Sequence, residues 1–341
     1  MEIRGNAQKI RLYSDFLAGF HASLPLSHFC WYNQRMMDCK NFVFFDCECA
    51  NTFDGVGKIC SLGYVVCDSE LNVIESEDVV MNPECEFDWY LFSGKGDIKL
   101  AYSKDYFRTH PNYERYYKAI KKLLTTGNRY IAGFAVGNDV GFVNDACGRY
   151  NLPYIQFRAF DLERYLERKY NEKKKLVQWA ESFGVNVAKF QGHKSVDDAM
   201  MTMLCLKAEC MRSGMDAEQI LKDAKDCFVS NEQILEQAAE RAYRREVMAK
   251  ITRLYGKQSP KPRFKTVLGQ RFELDKKVLR DVDRAFELVR RIYDNGGIVA
   301  EHISGNGEVV FEDEPHPEHK KRLKSRGLGV ISLPDLEAKL K

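Results

Sequence analysis

The sequence predicts an α/β protein: a mixed sheet flanked by helices in its larger part, then a charged helical connector and a small C-terminal α/β unit. Three observations carry this expectation. From Asn41, three runs rich in Val, Ile, Phe and Tyr, "NFVFFD", "KICSLGYVVCD" and "NVIESEDVVMNP", each end in turn or polar residues, as strands of a meander do. Short apolar pieces then alternate with helical periodicity as far as Arg212, the pattern of helices laid on a sheet. Beyond a basic stretch rich in Gly and Pro the same alternation resumes on a smaller scale.

Taken in order, residues 1–40 place Ile10, Leu12, Phe16, Leu17 and Phe20 on one face of an N-terminal helical appendage. The unit 41–212 opens with the meander. A helix follows over Asn112 to Leu124, then a strand "YIAGF" at 130–134 and a helix from near Asn138. A strand "FRAFD" at 157–161 precedes helical segments "LERYLERKY" and "KKLVQWAESF". The last helix starts near Ser195 and carries Met200, Met203, Leu204 and Leu206. Residues 213–265 read as a charged helical connector ending in "GKQSPKPRFK", a hinge or linker by composition. The C-terminal unit, 266–341, has the order strand "QRFEL", helix "RAFELVRRIYDNGG", strands "IVAEHIS" and "GEVVFED", helix "PEHKKRLKSRGL", strand "GVISL" and a short helix.

Composition narrows the function classes only a little. The 341 residues are 45% hydrophobic and 30% charged, as in ordinary soluble proteins, and a net charge of +3 is too mild to name a partner. Eleven scattered cysteines, none in a Cys-x-x-Cys spacing, point to reduced thiols rather than a disulfide framework or zinc site. The charged N-terminus "MEIRGNAQKIRLYSDF" lacks the apolar core of a signal peptide, and no apolar run approaches the roughly 20 residues of a membrane span. The expectation is a cytoplasmic protein without a membrane partner.

The chemistry lies in the acids. Asp46 and Glu48 end the first apolar strand, and strand alternation sends both to one side with Cys47 opposite. Taken alone, the pair fits either an exposed strand end or a cation site, because neighbouring carboxylates repel unless a positive charge lies between them. Downstream, "AGFAVGNDVGFV" puts Asp139 at the start of a helix, and "GHKSVDDAMM" puts His193, Asp197 and Asp198 at the entry to another. Helix capping and the macrodipole account for each Asp separately.

Together, Asp46-Cys47-Glu48, Asp139, and His193 followed at five residues by Asp198 resemble the three motifs of the DEDDh branch of DnaQ-like exonucleases, over about residues 40–212. The resemblance implies a ribonuclease H-like mixed sheet flanked by helices. It implies that Asp46, Glu48 and Asp198 hold a first divalent ion, that Asp46 bridges to a second, and that Asp139 joins directly or through water. Hard oxygen ligands suit Mg²⁺ or Mn²⁺, and a two-ion site stabilises the attacking and leaving oxygens of an in-line displacement. His193 is then the general base. Asp197, about 100 degrees around the helix from Asp198, is expected to be a first-turn acid, and Asp145 and Asp54 receive no catalytic role. Departures from the family are Cys49, where Thr or Ser is common, and "GND" in the second motif; both bear on the pocket for the terminal nucleotide. Phe134 and Phe142 are either core or base-stacking residues.

Residues 266–341 resemble a BRCT domain in element order, in Gly296-Gly297 after the first helix and in the closing "GVISLPDLEAKL". The stretch lacks the Trp of the last helix and the Ser/Thr-Gly of phosphopeptide-binding members. The resemblance therefore implies binding of DNA ends or of a replication or repair protein, and the basic runs "GKQSPKPRFK" and "HKKRLKSR" fit phosphate contact or plain solvated surface equally. The reading of the whole is a 3′–5′ exonuclease acting on a single-stranded 3′ end, DNA favoured over RNA, releasing nucleoside 5′-monophosphates in replication proofreading or repair. The alternatives are an RNA-trimming exoribonuclease and a non-catalytic nucleic-acid-binding scaffold.

Overall fold

The computed structural model describes residues 41–93, 99–127 and 129–341; the expected appendage, 1–40, lies outside them. Strand β1 (Asn41–Cys49) is apolar over most of its length because both of its faces are covered. Phe42 and Phe44 enter one core with Leu162, Trp179 and Met203, while Val43, Phe45 and Cys47 enter the opposite core with Ile120, Val140 and Phe157. The alternation expected at Asp46, Cys47 and Glu48 is therefore present, with Cys47 the buried member of the three.

β1 pairs antiparallel with β2 (Ile59–Cys67), and β2 antiparallel with β3 (Val73–Val80), completing the meander. On its other edge β1 pairs parallel with β4 (Arg129–Gly133), β4 pairs parallel with β5 (Arg158–Asp161), and β5 pairs antiparallel with β6 (Phe228–Ser230). The order β3-β2-β1-β4-β5-β6 is that of a mixed, ribonuclease H-like sheet. Helices α1 (Tyr113–Thr125) and α2 (Gly137–Arg149) cover one face. Helices α3 (Leu162–Tyr170), α4 (Leu176–Ser182) and α5 (Ser195–Ser213) cover the other.

The stretch after Arg212 differs from the helical connector expected there. Helix α6 (Ala217–Asp223) sends Ala217, Ile220 and Leu221 into the first core, and β6 adds a sixth strand before helix α7 (Asn231–Thr252) begins. A three-residue strand between two helical patterns is too short to show a period of its own. Described residues up to Gln237 form one compact unit, and those from Ala238 form another.

In the second unit, β7 (Arg271–Leu274), α8 (Val282–Asp294), β8 (Ile298–Val299), β9 (Gly307–Phe311), α9 (Pro317–Ser325), β10 (Leu328–Ser332) and α10 (Leu333–Lys339) follow the order read from the sequence. They build a four-stranded sheet, β10-β9-β7-β8, with every pairing parallel. The stretch expected to be a hinge is packed onto this unit: Gly256 N–H donates to Val299 O at 2.8 Å, and Arg263 N–H to Asp294 O at 2.8 Å. Lys257 N–H also donates to Leu254 O, and Phe264 N–H to Asp294 O. Among the described residues no helix is long and apolar enough to cross a membrane.

Candidate active site

The site forms where β1 outruns β4. The parallel pairing ends at Phe44 and Ala132, which leaves the next main-chain groups of β1 free on that edge. Asp139, in the first turn of α2 and only 4% exposed, fills the gap: its Oδ1 accepts the Cys47 N–H at 3.0 Å. The turn that delivers it is tight. A side chain on Gly133 would lie 2.9 Å from Phe45 O, and Ala135 adopts a left-handed φ of 52° while donating its N–H to Asp161 Oδ1 at 3.1 Å.

On the other edge of β1, Asp46 lies opposite Gly63 and Glu48 opposite Ser61. Gly63 has a purpose, since a Cβ there would sit 1.9 Å from the backbone nitrogen of Val196. The start of α5 thus rests directly on the main chain of β2, which brings Asp198 up to β1. Ser195, fully buried, locks the approach: its Oγ donates to Asp78 Oδ1 at 2.8 Å, so Ser61 Oγ, also at 2.8 Å, donates to it. Tyr102 completes the brace with a hydrogen bond to Asp78 Oδ2 at 2.8 Å.

His193 stands in the loop before α5 with a left-handed φ of 59°. Its N–H donates to Asp198 Oδ2 at 3.0 Å, its carbonyl accepts from Ala101 N–H at 3.3 Å, and its ring Nδ1 lies 3.4 Å from Glu48 Oε1. The five-residue spacing of His193 and Asp198 therefore has a mechanical meaning: the carboxylate fixes the loop that carries the imidazole.

The structure brings all five expected residues into one neighbourhood. Burial, then Asp139, Glu48, Asp198 and Asp78, push the Asp46 carboxyl well above its ordinary value. Burial, outweighing the Cys47 N–H, together with Glu48 and Asp161 does the same for Asp139. Burial and Glu48 raise Asp198 to about 7, against the opposing pull of His193. Carboxylates held this way remain charged at neutral pH only with a cation among them. Donor atoms of Glu48, His193 and Asp198 come within 4.8 Å of one another, a spacing that accepts a metal ion. The expected first set had Asp46 in place of His193; Asp46 adjoins this trio electrostatically without belonging to it.

The remaining candidates take structural parts. Asp197 turns to its own loop, accepting from Gln191 N–H at 2.8 Å and pairing with Lys194 at 3.3 Å. Asp145 Oδ2 accepts the Gly57 N–H at 2.7 Å, and Asp54 is exposed in a helical turn. Cys49 Sγ donates to Asn51 O at 2.9 Å and accepts from Lys58 N–H at 3.1 Å, with burial raising its thiol to about 12. Phe134 and Phe142 both pack against the cores. Gly63, Ser61, Ser195, Asp78 and Asp161 position the site yet carry no motif, so the sequence left them unmarked.

A mixed sheet flanked by helices thus gathers these acids at the end of its central strand. Residues 43–206, just under half of the chain, match the family model described as Exonuclease (RNase T). The matched residues include Asp46, Glu48, Asp139, His193 and Asp198. No curated protein matches the chain. Among solved structures, it is similar to a 3′-exonuclease described as recognising the 3′ end of histone mRNA stem-loop, with 14% identity, TM-score 0.44, and coverage of 52% of this chain and 84% of that one. It is also similar to E. coli exonuclease I in complex with a dT13 oligonucleotide, with 17% identity, TM-score 0.43, and 51% and 42% coverage; the match thus spans less than half of that chain. A third is the nuclease domain of 3′hExo, a DEDDh family member, bound to rAMP, with 17% identity, TM-score 0.41, and 51% and 92% coverage.

Proposed function

We propose that the chain removes nucleoside 5′-monophosphates one at a time from an unpaired 3′ end, with DNA as the favoured polymer and replication proofreading or repair as the setting. The observation that carries the reading is the convergence of Asp46, Glu48, Asp139 and Asp198 with the His193 imidazole 3.4 Å from Glu48. Asp46, Glu48, Asp139 and Asp198 would hold two Mg²⁺ or Mn²⁺ ions, which supply charge neutralisation on the phosphate and on the attacking and leaving oxygens. A proton on His193 Nδ1 faces Glu48 Oε1, which leaves Nε2 to take the proton of the attacking water. The Asp198 bond to the His193 N–H holds the loop, and hence the ring, in place during that transfer. Asp139 keeps the end of β1 from fraying through its bond to Cys47.

The C-terminal unit is proposed as a BRCT-like module for DNA ends or a repair protein, on the strength of its element order. Nine described cysteines carry free thiols, which supports a reducing compartment such as the cytoplasm.

The test is hydrolysis of end-labelled DNA and RNA of one sequence with Mg²⁺, Mn²⁺ or EDTA, beside Asp46→Ala and His193→Asn. The carboxylates act on the phosphodiester and not on the sugar, so the faster polymer decides between the DNA reading and RNA trimming. Products other than 5′-monophosphates, or variants as fast as the parent, overturn the assignment; a parent that binds without cutting is a scaffold.

A further inference from the structure

We propose that a cavity at the β5–β6 edge of the six-stranded sheet binds a phosphate group, free or carried by a small molecule, through Arg158, Arg164 and Lys225. This holds whether or not the carboxylate cluster cuts nucleic acid. The cavity has a volume of about 410 Å³, within the range of small-molecule sites, and all of its lining belongs to the unit that ends at Gln237. β6 is the last strand on its side of the sheet.

Two residues tie the lining together. Ser230 lies opposite Arg158 in the β5–β6 pairing and donates its N–H to Gln233 Oε1 at 2.9 Å, so Arg158 and Gln233 meet across it. That N–H can only donate, so the Gln233 oxygen is the end it engages, and the NH₂ group is the donor left for a ligand. The Arg158 guanidinium lies over the Phe228 ring, 5.3 Å from its centroid, which keeps its N–H edge available for forked bonding to oxyanions. Asp226 follows Lys225 in the turn before β6 and is ion-paired to Arg168. Arg168 first, and Arg164 more weakly, hold this carboxyl below its ordinary value, which sets Arg164 beside the same turn as Lys225.

The chemistry of the lining selects the ligand. Among the described residues no ion pair engages Arg158, Arg164 or Lys225, and three cations against the one carboxylate of Asp226 leave the hollow net positive. Like charges around a cavity repel, and an anion among them relieves that cost. A phosphate group carries nearly two charges and three terminal oxygens, enough to meet two guanidinium forks, an ammonium and an amide together. A carboxylate, with one charge and two oxygens, leaves part of that donor set unused. Val229 and Ile234, both half-buried, give the remaining space an apolar wall for an organic part of the ligand.

The double variant Arg164→Gln/Lys225→Gln tests this in the full chain, because both side chains are exposed and removal leaves the core intact. Titration calorimetry and thermal unfolding are run with inorganic phosphate and with ribose 5-phosphate. EDTA keeps metal from drawing phosphate to the carboxylates, and chloride holds the ionic strength constant. The parent is expected to bind both probes saturably and to melt higher as their concentration rises. The double variant is expected to lose at least about tenfold in affinity, and Gln233→Glu, which adds a negative charge to the hollow, a similar amount. Lys321→Gln/Lys324→Gln, the same charge change on α9, is expected to keep the parent affinity. Tighter binding of ribose 5-phosphate supports a site that also grips the organic part, and equal affinity supports one that grips phosphate alone. No saturable binding of either probe by the parent, or parent affinity in both cavity variants, overturns the proposal. An equal loss in the α9 variant also overturns it, because the effect is then one of overall charge.

Discussion

Replacing Asp198 by Asn is expected to stabilise the metal-free protein while abolishing hydrolysis. The rise of this carboxyl from its ordinary 3.8 to about 7, caused first by burial and then by Glu48, corresponds to roughly 4 kcal/mol at about 1.4 kcal/mol per pH unit. The sign follows from proton counts: between those two values the folded chain holds the proton and the unfolded chain releases it, so stability falls as pH rises through the window. The full cost is present above about pH 8. Asn removes it but weakens the bond from His193 N–H, worth about 1–2 kcal/mol when the acceptor is charged. A net gain of about 2 kcal/mol at pH 8 remains, or roughly 4–8 °C in melting temperature for a unit of this size. Thermal unfolding followed by circular dichroism in EDTA at several pH values reads it directly. The advantage of the variant is expected to shrink toward pH 5 and vanish near pH 4, and added Mg²⁺ is expected to raise the parent's melting point more than the variant's. A variant that melts below the parent at pH 8, or an advantage independent of pH, refutes the electrostatic account of the cluster.

Other perturbations address separate parts of the site. His193→Asn, chosen because Asn tolerates the left-handed backbone at this position, is expected to lower kcat by about 10²–10⁴ with little change in melting temperature, measured by single-turnover hydrolysis. Gly63→Ala drives a methyl group into the backbone of α5 and is expected to cost at least about 3 kcal/mol in denaturant unfolding; a loss under about 1 kcal/mol shows that α5 shifts freely. Ser195→Ala strips Asp78 of one donor and Ser61 of its acceptor, for an expected cost of about 1–3 kcal/mol by the same measurement, and a neutral result removes the brace from the account.

Much of the catalytic unit was legible because its strands and helices are long enough to display their periods. β1 betrayed itself by four apolar or aromatic positions ahead of two acids, and α5 by methionines and leucines at helical spacing. The five motif residues were visible because their chemistry is unusual at those places. What escaped depends on approach in three dimensions. Gly63 matters only because another element lies 1.9 Å from where its side chain would be, and nothing in the flanking residues announces that. Asp161 looks like any helix N-cap, which it is, while also bonding the turn before Asp139. β6 exists only by virtue of its partner β5, which explains why the stretch after Arg212 read as helix alone.

Glu48 is flanked by Cys47 and Cys49, and burial raises both thiols, Cys49 to about 12. Sulfur at these places is kept as the unreactive protonated form, whereas electrophiles and peroxides attack the thiolate. The two cysteines beside Glu48 are therefore expected to react slowly with peroxides and alkylating reagents, although the chain carries many thiols.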